Sequence, residues 1–209
     1  MLPTRNILML VLFITVATAF TVAGHRNAPY KAKWLVTKEG AVRVEGSTNV
    51  NRFSCSVSGY ANADTITCYK KNSTDMAVAL EGRLSIPVAS FDCLNKMMTK
   101  DLRKTLKETD FPMLVIHFIS MDKYPELKLG QEQVNGIVDI ELAGTKKRIA
   151  VNFNISVNNQ QVVHLSGTQH IHFSDFNLVP PKKLGGIIKA NDKLEVTFNI
   201  NFKVMADQN

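Results

Sequence analysis

The chain has 209 residues, of which 45% are hydrophobic and 21% charged, and its 25 Lys+Arg against 18 Asp+Glu leave a net charge of +7. A chain of this size and balance buries a real core, which excludes a disordered protein, a collagen and a disulfide-framework miniprotein. Three cysteines without a CxxC, and without the Cys/His spacing of a finger, exclude a structural zinc module.

In chain order, the first element is an address. Arg5 precedes an apolar run from Ile7 to Val16, and Ala17-Thr18-Ala19 obeys the small-x-small rule for signal peptidase. Residues 1–19 therefore read as a signal peptide: the run is too short for a membrane span, which needs about 20 apolar residues. With no cysteine near the cut, the mature protein is expected to be periplasmic or secreted without a lipid anchor, in a compartment that permits disulfides. The domain reading is an N-terminal extension over 20–33, one β domain over 34–205 and a tail over 206–209.

Alternation with period two dominates the rest. It runs through Val42/Val44, Phe53/Val57, Val78/Leu80/Leu84/Ile86, Leu114/Ile116/Phe118 and Val138/Ile140/Leu142. It continues through Ile149/Val151/Phe153/Ile155/Val157, Leu165/Ile171/Phe173 and Val196/Phe198/Ile200/Phe202/Val204. Turn formers separate these runs, among them Asn72-Ser73-Thr74, Ala143-Gly144-Thr145, Asn158-Asn159 and Asn191-Asp192. The parity of Phe53 against Val42/Val44 suggests a bulge. Leu94, Met98, Leu102 and Leu106 break the rhythm at every fourth residue, so Leu94 to Glu108 is expected to form an amphipathic helix that stops before Pro112. An all-β chain with one short helix and short connections is a barrel or a sandwich.

Candidates for chemistry are few. His170-x-His172, followed by Asp175, places two imidazoles on one strand face, but Ile171 and Phe173 take the apolar parity and leave both His on the outside. His117 alternates outward in the same way, and His164 is too far along the strand to complete a site. Asp139 and Glu141 share a face opposite Val138, Ile140 and Leu142, which predicts solvated carboxylates. No Gly-x-Ser-x-Gly occurs, and Gly185-Gly186 lacks the Lys-Ser/Thr of a phosphate loop. The expectation is no catalytic residue, no metal site and no enzyme.

Lys182, Lys183 and Lys189, with the lysines of the helix, offer positive charge to an anionic headgroup or a membrane surface. Nucleic acid is not expected, since one Trp and four Tyr give few stacking platforms. Cys55 and Cys68 share inward parity, and Cys93 starts the helix. A bond from Cys55 to either is open, and Cys55–Cys93 is preferred because it would staple the helix to the strands.

Three strings together resemble the YceI-like family. Gly46-Ser47-Thr48-Asn49-Val50-Asn51-Arg52-Phe53 resembles its opening motif. Phe91-Asp92-Cys93-Leu94-Asn95 with Met98, Asp101, Leu102, Leu106 and Pro112 resembles its central helix. His172-Phe173-Ser174-Asp175-Phe176, Pro180-Pro181 and the strand ending Phe198-Asn199-Ile200-Asn201-Phe202 resemble its C-terminal signature. The match runs from about Trp34 to Val204. Family members often carry Arg where this chain has Phe173, so no arginine contact carries over.

The resemblance implies an eight-stranded, antiparallel, lipocalin-like barrel, its helix covering one end, that binds a long isoprenoid or similar amphiphilic lipid without catalysis. No other cofactor is implied; a quinone-type lipid belongs to the same class. Alternation then assigns the lipid-facing wall to Phe53, Leu84, Ile86, Ile116, Phe118, Ile140, Phe153, Ile171, Phe173, Phe176, Phe198, Ile200 and Phe202, with Met98, Leu102 and Leu106 from the helix. Lys182, Lys183 and Lys189 are the headgroup candidates. The remaining partner expectations are a transient contact with a membrane surface and a monomer or homodimer. The competing class is a barrel filled by its own side chains, acting as a scaffold or protein-interaction module, because a packed core and a cavity wall draw on the same residues.

Overall fold

The computed structural model describes residues 30–37, 40–60, 62–70, 77–128 and 130–206. Residues 1–19, read from the sequence as a signal peptide, most of the 20–33 segment and the end of the tail lie outside them. The alternating runs become strands β1 (Tyr30–Val36), β2 (Ala41–Thr48), β3 (Arg52–Ser58), β4 (Thr65–Lys70), β5 (Val78–Glu81) and β6 (Arg83–Pro87). After the helix α1 (Lys96–Thr105) come β7 (Met113–Met121), β8 (Gly130–Leu142), β9 (Thr145–Val157), β10 (Val162–His172), β11 (Lys182–Lys183) and β12 (Ile188–Ala206). Because β1 starts at Tyr30, residues 30–33 are strand rather than extension.

Eleven of the twelve segments make eight antiparallel staves, and β11 only pairs with the start of β12. β2 and then β1 lie end to end along one edge of β12, at Val44↔Val196 and Trp34↔Val204. β3 and β4 flank that pair in turn, and β5 and β6 together flank β7. The ladders β7–β8, β8–β9, β9–β10 and β10–β12 bring the sheet back to β12 and close the barrel. Closure removes the exposed edges that an open sheet would have to protect. Gly82 joins β5 to β6 at φ 150°, and a Cβ there would sit 2.5 Å from the Thr65 carbonyl oxygen, so no other residue allows this approach.

Along the β3–β6 seam no ladder is found among the described residues, and the chain leaving β6 covers it. Asp92 exchanges two backbone hydrogen bonds with Ser56 at 2.8 and 2.9 Å, and Cys93 is disulfide-bonded to Cys55. The β2–β3 ladder is regular from Ala41↔Ser58 to Ser47↔Arg52, so the bulge suggested for the Phe53 strand does not occur there. Irregularities lie instead between Phe118 and Ser120 and between Ala190 and Leu194. The helix is shorter than its periodicity predicted. Asn95 caps it by accepting from the Met97 and Met98 amides, which leaves Leu94 outside at φ 58°.

Two ends differ in covering. The upper end carries α1, the β8–β9 hairpin and a 3-10 turn over Phe173–Phe176; the lower end carries β4, β5 and the β9–β10 hairpin. Trp34, Ile66, Cys68, Met121, Val134, Val163 and Phe202 fill the lower half with buried side chains. Trp34 meets Phe202 at 5.6 Å and Tyr124 at 6.1 Å between ring centroids.

Candidate functional site

The upper half is hollow, and the reason lies in three glycines on inward positions. A Cβ on Gly46 would fall 2.3 Å from the Phe53 ring, one on Gly136 would fall 2.3 Å from Phe153, and one on Gly167 would fall 2.5 Å from Phe198. Each aromatic ring therefore rests in the notch where a neighbouring side chain is missing, along the wall rather than across the bore. Phe153 and Phe198 then meet edge-on at 5.9 Å.

The resulting cavity holds about 120 Å³. Its wall takes residues from β2, β7, β8, β9, β10 and β12, with Leu102 from α1, Leu106 at the helix C-cap and Phe91 from the seam. All are apolar except Gln169 and His172, at the upper end of β10. Beside it, at the mouth, lies a groove of about 420 Å³ between Thr48–Phe53, the start of α1 and Pro181–Ala190. Leu102 and Phe173 border both spaces. The inner cavity is comparable to an engineered apolar cavity of about 150 Å³ that accepts benzene. The groove is in the range of small-molecule sites, roughly 300–1,000 Å³.

Charged residues hold the roof. In the 3-10 turn, buried Phe173 and Phe176 face the cavity. Asp175 accepts from the His172 amide at 2.9 Å and from Lys147 at 2.8 Å; Asp192 accepts from the Ser174 hydroxyl at 2.5 Å and its amide at 2.9 Å. The Lys147 ammonium, followed by the His172 amide, keeps the Asp175 carboxyl below the usual carboxylate range, and the Ser174 hydroxyl and amide do the same for Asp192.

The structure brings most of the wall candidates into one place. Leu102, Leu106, Ile116, Phe118, Ile140, Phe153, Ile171, Phe173, Phe176, Phe198 and Ile200 line the inner cavity. Phe53 and Met98 line the mouth groove instead. Leu84 and Ile86 face a small separate recess beside Tyr60, since β6 belongs to the splayed seam. Phe202 packs against Trp34 in the lower half, two residues beyond the cavity floor at Ile200. Wall residues that alternation left unassigned include Val42, Leu114, Val138, Val151, Leu165, Leu194 and Val196, all on the same parity as their assigned neighbours. Leu178 had no such signal, because it follows an irregular turn.

Of the lysines at the mouth, Lys183 lines the groove and pairs with Asp101 of α1, while Lys182 and Lys189 sit opposite each other in the β11–β12 ladder. Asp139 corrects an expectation. It points outward but is buried, under Arg148 at 2.7 and 3.0 Å and Lys146 at 3.5 Å. The Arg148 guanidinium holds its carboxyl low. Glu141 stays exposed, 3.7 Å from His117. His170 and His172 diverge toward different carboxylates, Glu195 at 3.8 Å and Asp175 at 3.4 Å. Cys68 is free and buried in the lower half, where burial pushes its thiol up to about 12.

A family model described as the YceI-like domain matches residues 34–202. Among solved structures, a polyisoprenoid binding domain from Saccharophagus degradans implicated in plant cell wall breakdown is similar at a TM-score of 0.60 and 10% identity, over 83% of this chain and 98% of its own. BcnA from Burkholderia cenocepacia is similar at 0.56 and 17% identity, over 80% of this chain and 96% of its own. At such identities the likeness shows the shared fold. No curated protein matches the sequence.

Proposed function

The chain belongs to the YceI-like family, and we propose that it binds a long apolar chain, an isoprenoid or a similar amphiphilic lipid such as a quinone, without transforming it. The observation that carries this reading is the inner cavity, walled by aliphatic and phenyl groups and adjoining the mouth groove at Leu102 and Phe173. A tail buried there gains about 0.8 kcal/mol per CH₂, less the cost of ordering it. The fold it shares with the S. degradans polyisoprenoid binding domain supports the same guest class. The tail would occupy cavity and groove together, since about 120 Å³ alone takes only a few carbons. Met98, adaptable and at the boundary, would adjust to the guest. The polar head would lie at the groove beside Lys182, Lys183 and Lys189.

Among the described residues the cavity wall is aliphatic and aromatic apart from Gln169 and His172, a lining suited to holding an apolar guest. The signal-peptide pattern read in residues 1–19 and the family support a periplasmic or secreted protein. The filled barrel is the second reading, favoured by the packed lower half. Native mass spectrometry of detergent-free protein, followed by organic extraction, separates them. A stoichiometric hydrophobic adduct is expected; an apoprotein mass that long-chain isoprenoids leave unchanged would establish the filled barrel.

A further inference from the structure

The mouth is ringed by aliphatic side chains that contact nothing worth their exposure. Leu94 is 96% and Leu184 70% exposed, and Val50, Met97, Val179 and Ile187 are similarly bare. Val50 and Met97 line the groove, and Leu94, Val179, Leu184 and Ile187 lie next to lining residues in the chain, Leu94 just before the Asn95 cap of α1 and the other three within two residues of Pro181, Lys183 or Ile188. These three stretches, around 48–51, the start of α1 and 179–188, are tied into one rim. The Asn49 side chain donates to the Ile187 carbonyl at 2.9 Å and accepts from the Lys189 amide at 2.9 Å, and Lys183 joins the last segment to Asp101 of α1.

Backbone conformation makes the exposure more telling. Leu94 and Leu184 both hold left-handed φ, 58° and 50°, a region bulky residues avoid. Two leucines thus take an unfavourable backbone and point into water. Neither choice stabilises the isolated barrel.

We propose that this rim is a membrane-docking surface, seating the barrel mouth-down on an anionic bilayer. Lys96, Lys100, Lys182 and Lys189 stand among the aliphatic residues with no carboxylate partner among the described residues. Lysines interleaved with Leu, Ile, Val and Met suit the headgroup and acyl boundary of an anionic leaflet. A protein partner would call for Tyr, Trp and Arg and would disfavour Lys. Docked this way, the groove opens toward acyl chains. The rim geometry carries the docking by itself, whether or not the cavity holds a guest.

The test places a tryptophan at the rim. Trp34, the sole native Trp, is 2% exposed and contributes a constant background. Ile187→Trp reports from the rim and Ile137→Trp from the outer barrel wall, each mixed with vesicles of phosphatidylglycerol and phosphatidylcholine carrying brominated chains. The expected result is quenching at position 187 and none at 137, with binding at least about tenfold weaker on pure phosphatidylcholine. Lys182→Glu and Lys189→Glu should each weaken binding by about fivefold or more. Leu94→Asp with Leu184→Asp should abolish quenching while the melting curve is kept, since both side chains already lie in water. Equal quenching at both positions, no quenching on anionic vesicles, or concentration-dependent dimers in place of vesicle binding would overturn the proposal. Extracting the same sample for a bound lipid reads the guest separately, so docking and guest binding fail or succeed independently.

Discussion

In the lower half of the barrel Trp34 packs against both Phe202 and Tyr124, whereas in the upper half Phe53, Phe153 and Phe198 each lie against a glycine and leave the bore open. The two halves use the same alternation and similar apolar residues. What separates them is where a side chain is missing. A glycine on the wall lets a neighbouring ring turn into the sheet, and space that a core would fill becomes a cavity. The upper half is also the half whose seam is closed by a disulfide rather than by a ladder. Hollowness and irregular closure occur together at the end where a guest would enter.

The largest expected effect tests the seam. Replacing both Cys55 and Cys93 by Ala opens a loop of 38 residues and should cost about 4 kcal/mol in the chain-entropy view. Denaturation followed by hydrogen exchange should show the amides of 91–93 opening first while Trp34 emission keeps its native spectrum. Simultaneous loss of both would mean the halves are one cooperative unit. Gly136→Ala comes next: its Cβ forces the Phe153 ring toward the bore, with an overpacking cost of about 1–3 kcal/mol. Guest binding should fall along with the melting temperature, and unchanged binding would remove the notch from the account.

A matched pair sharpens the comparison further. Val163→Ala, in the packed half, should cost about 2 kcal/mol, and Val138→Ala, on the cavity wall, about 1 kcal/mol, because its side chain already lacks neighbours on the bore side. Equal costs in urea titrations would argue that both halves are packed alike.

The smallest effects come from pH, and they have opposite signs at the two extremes. Asp175 and Asp192 have depressed carboxyls, so their support of the roof is present above about pH 4 and is lost as pH falls through their lowered values. Asp192→Asn should flatten that acid slope. Tyr60 donates to Asp64 and accepts from the Ser85 amide at 2.8 Å, and burial first, then the Asp64 hydrogen bond, push its hydroxyl up to about 12. Its contribution is complete below about pH 10 and lost as pH rises toward 12. Tyr60→Phe should reduce the alkaline slope over that interval, and Cys68, whose thiol burial also pushes up to about 12, should supply the slope that remains.

The strands were legible because burial of one face imposes period two, which survives in any barrel. Ile149 to Val157 and Val196 to Val204 show it over entire strands. The cavity wall followed from the same parity, and Val138 or Leu165 could have been assigned by extending it. Depth along the strand was not legible: Ile200 and Phe202 share parity, yet one lines the cavity and the other packs on Trp34. Nor was the burial of Asp139, because parity predicts the face but not that Arg148 and Lys146 on the next strand cover it.

Alternation, turn residues and the four-residue stripe of α1 thus determined the β class, the helix and the inward face of most strands, since these depend on neighbours close in the chain. Motif order carried the family. The tertiary structure alone decided which part of the interior stays empty, which seam the Cys55–Cys93 bond closes and which exposed leucines gather into one rim. Each of these depends on residues far apart in sequence, Gly136 under Phe153 or Asn49 against Ile187, meeting only when the sheet has closed.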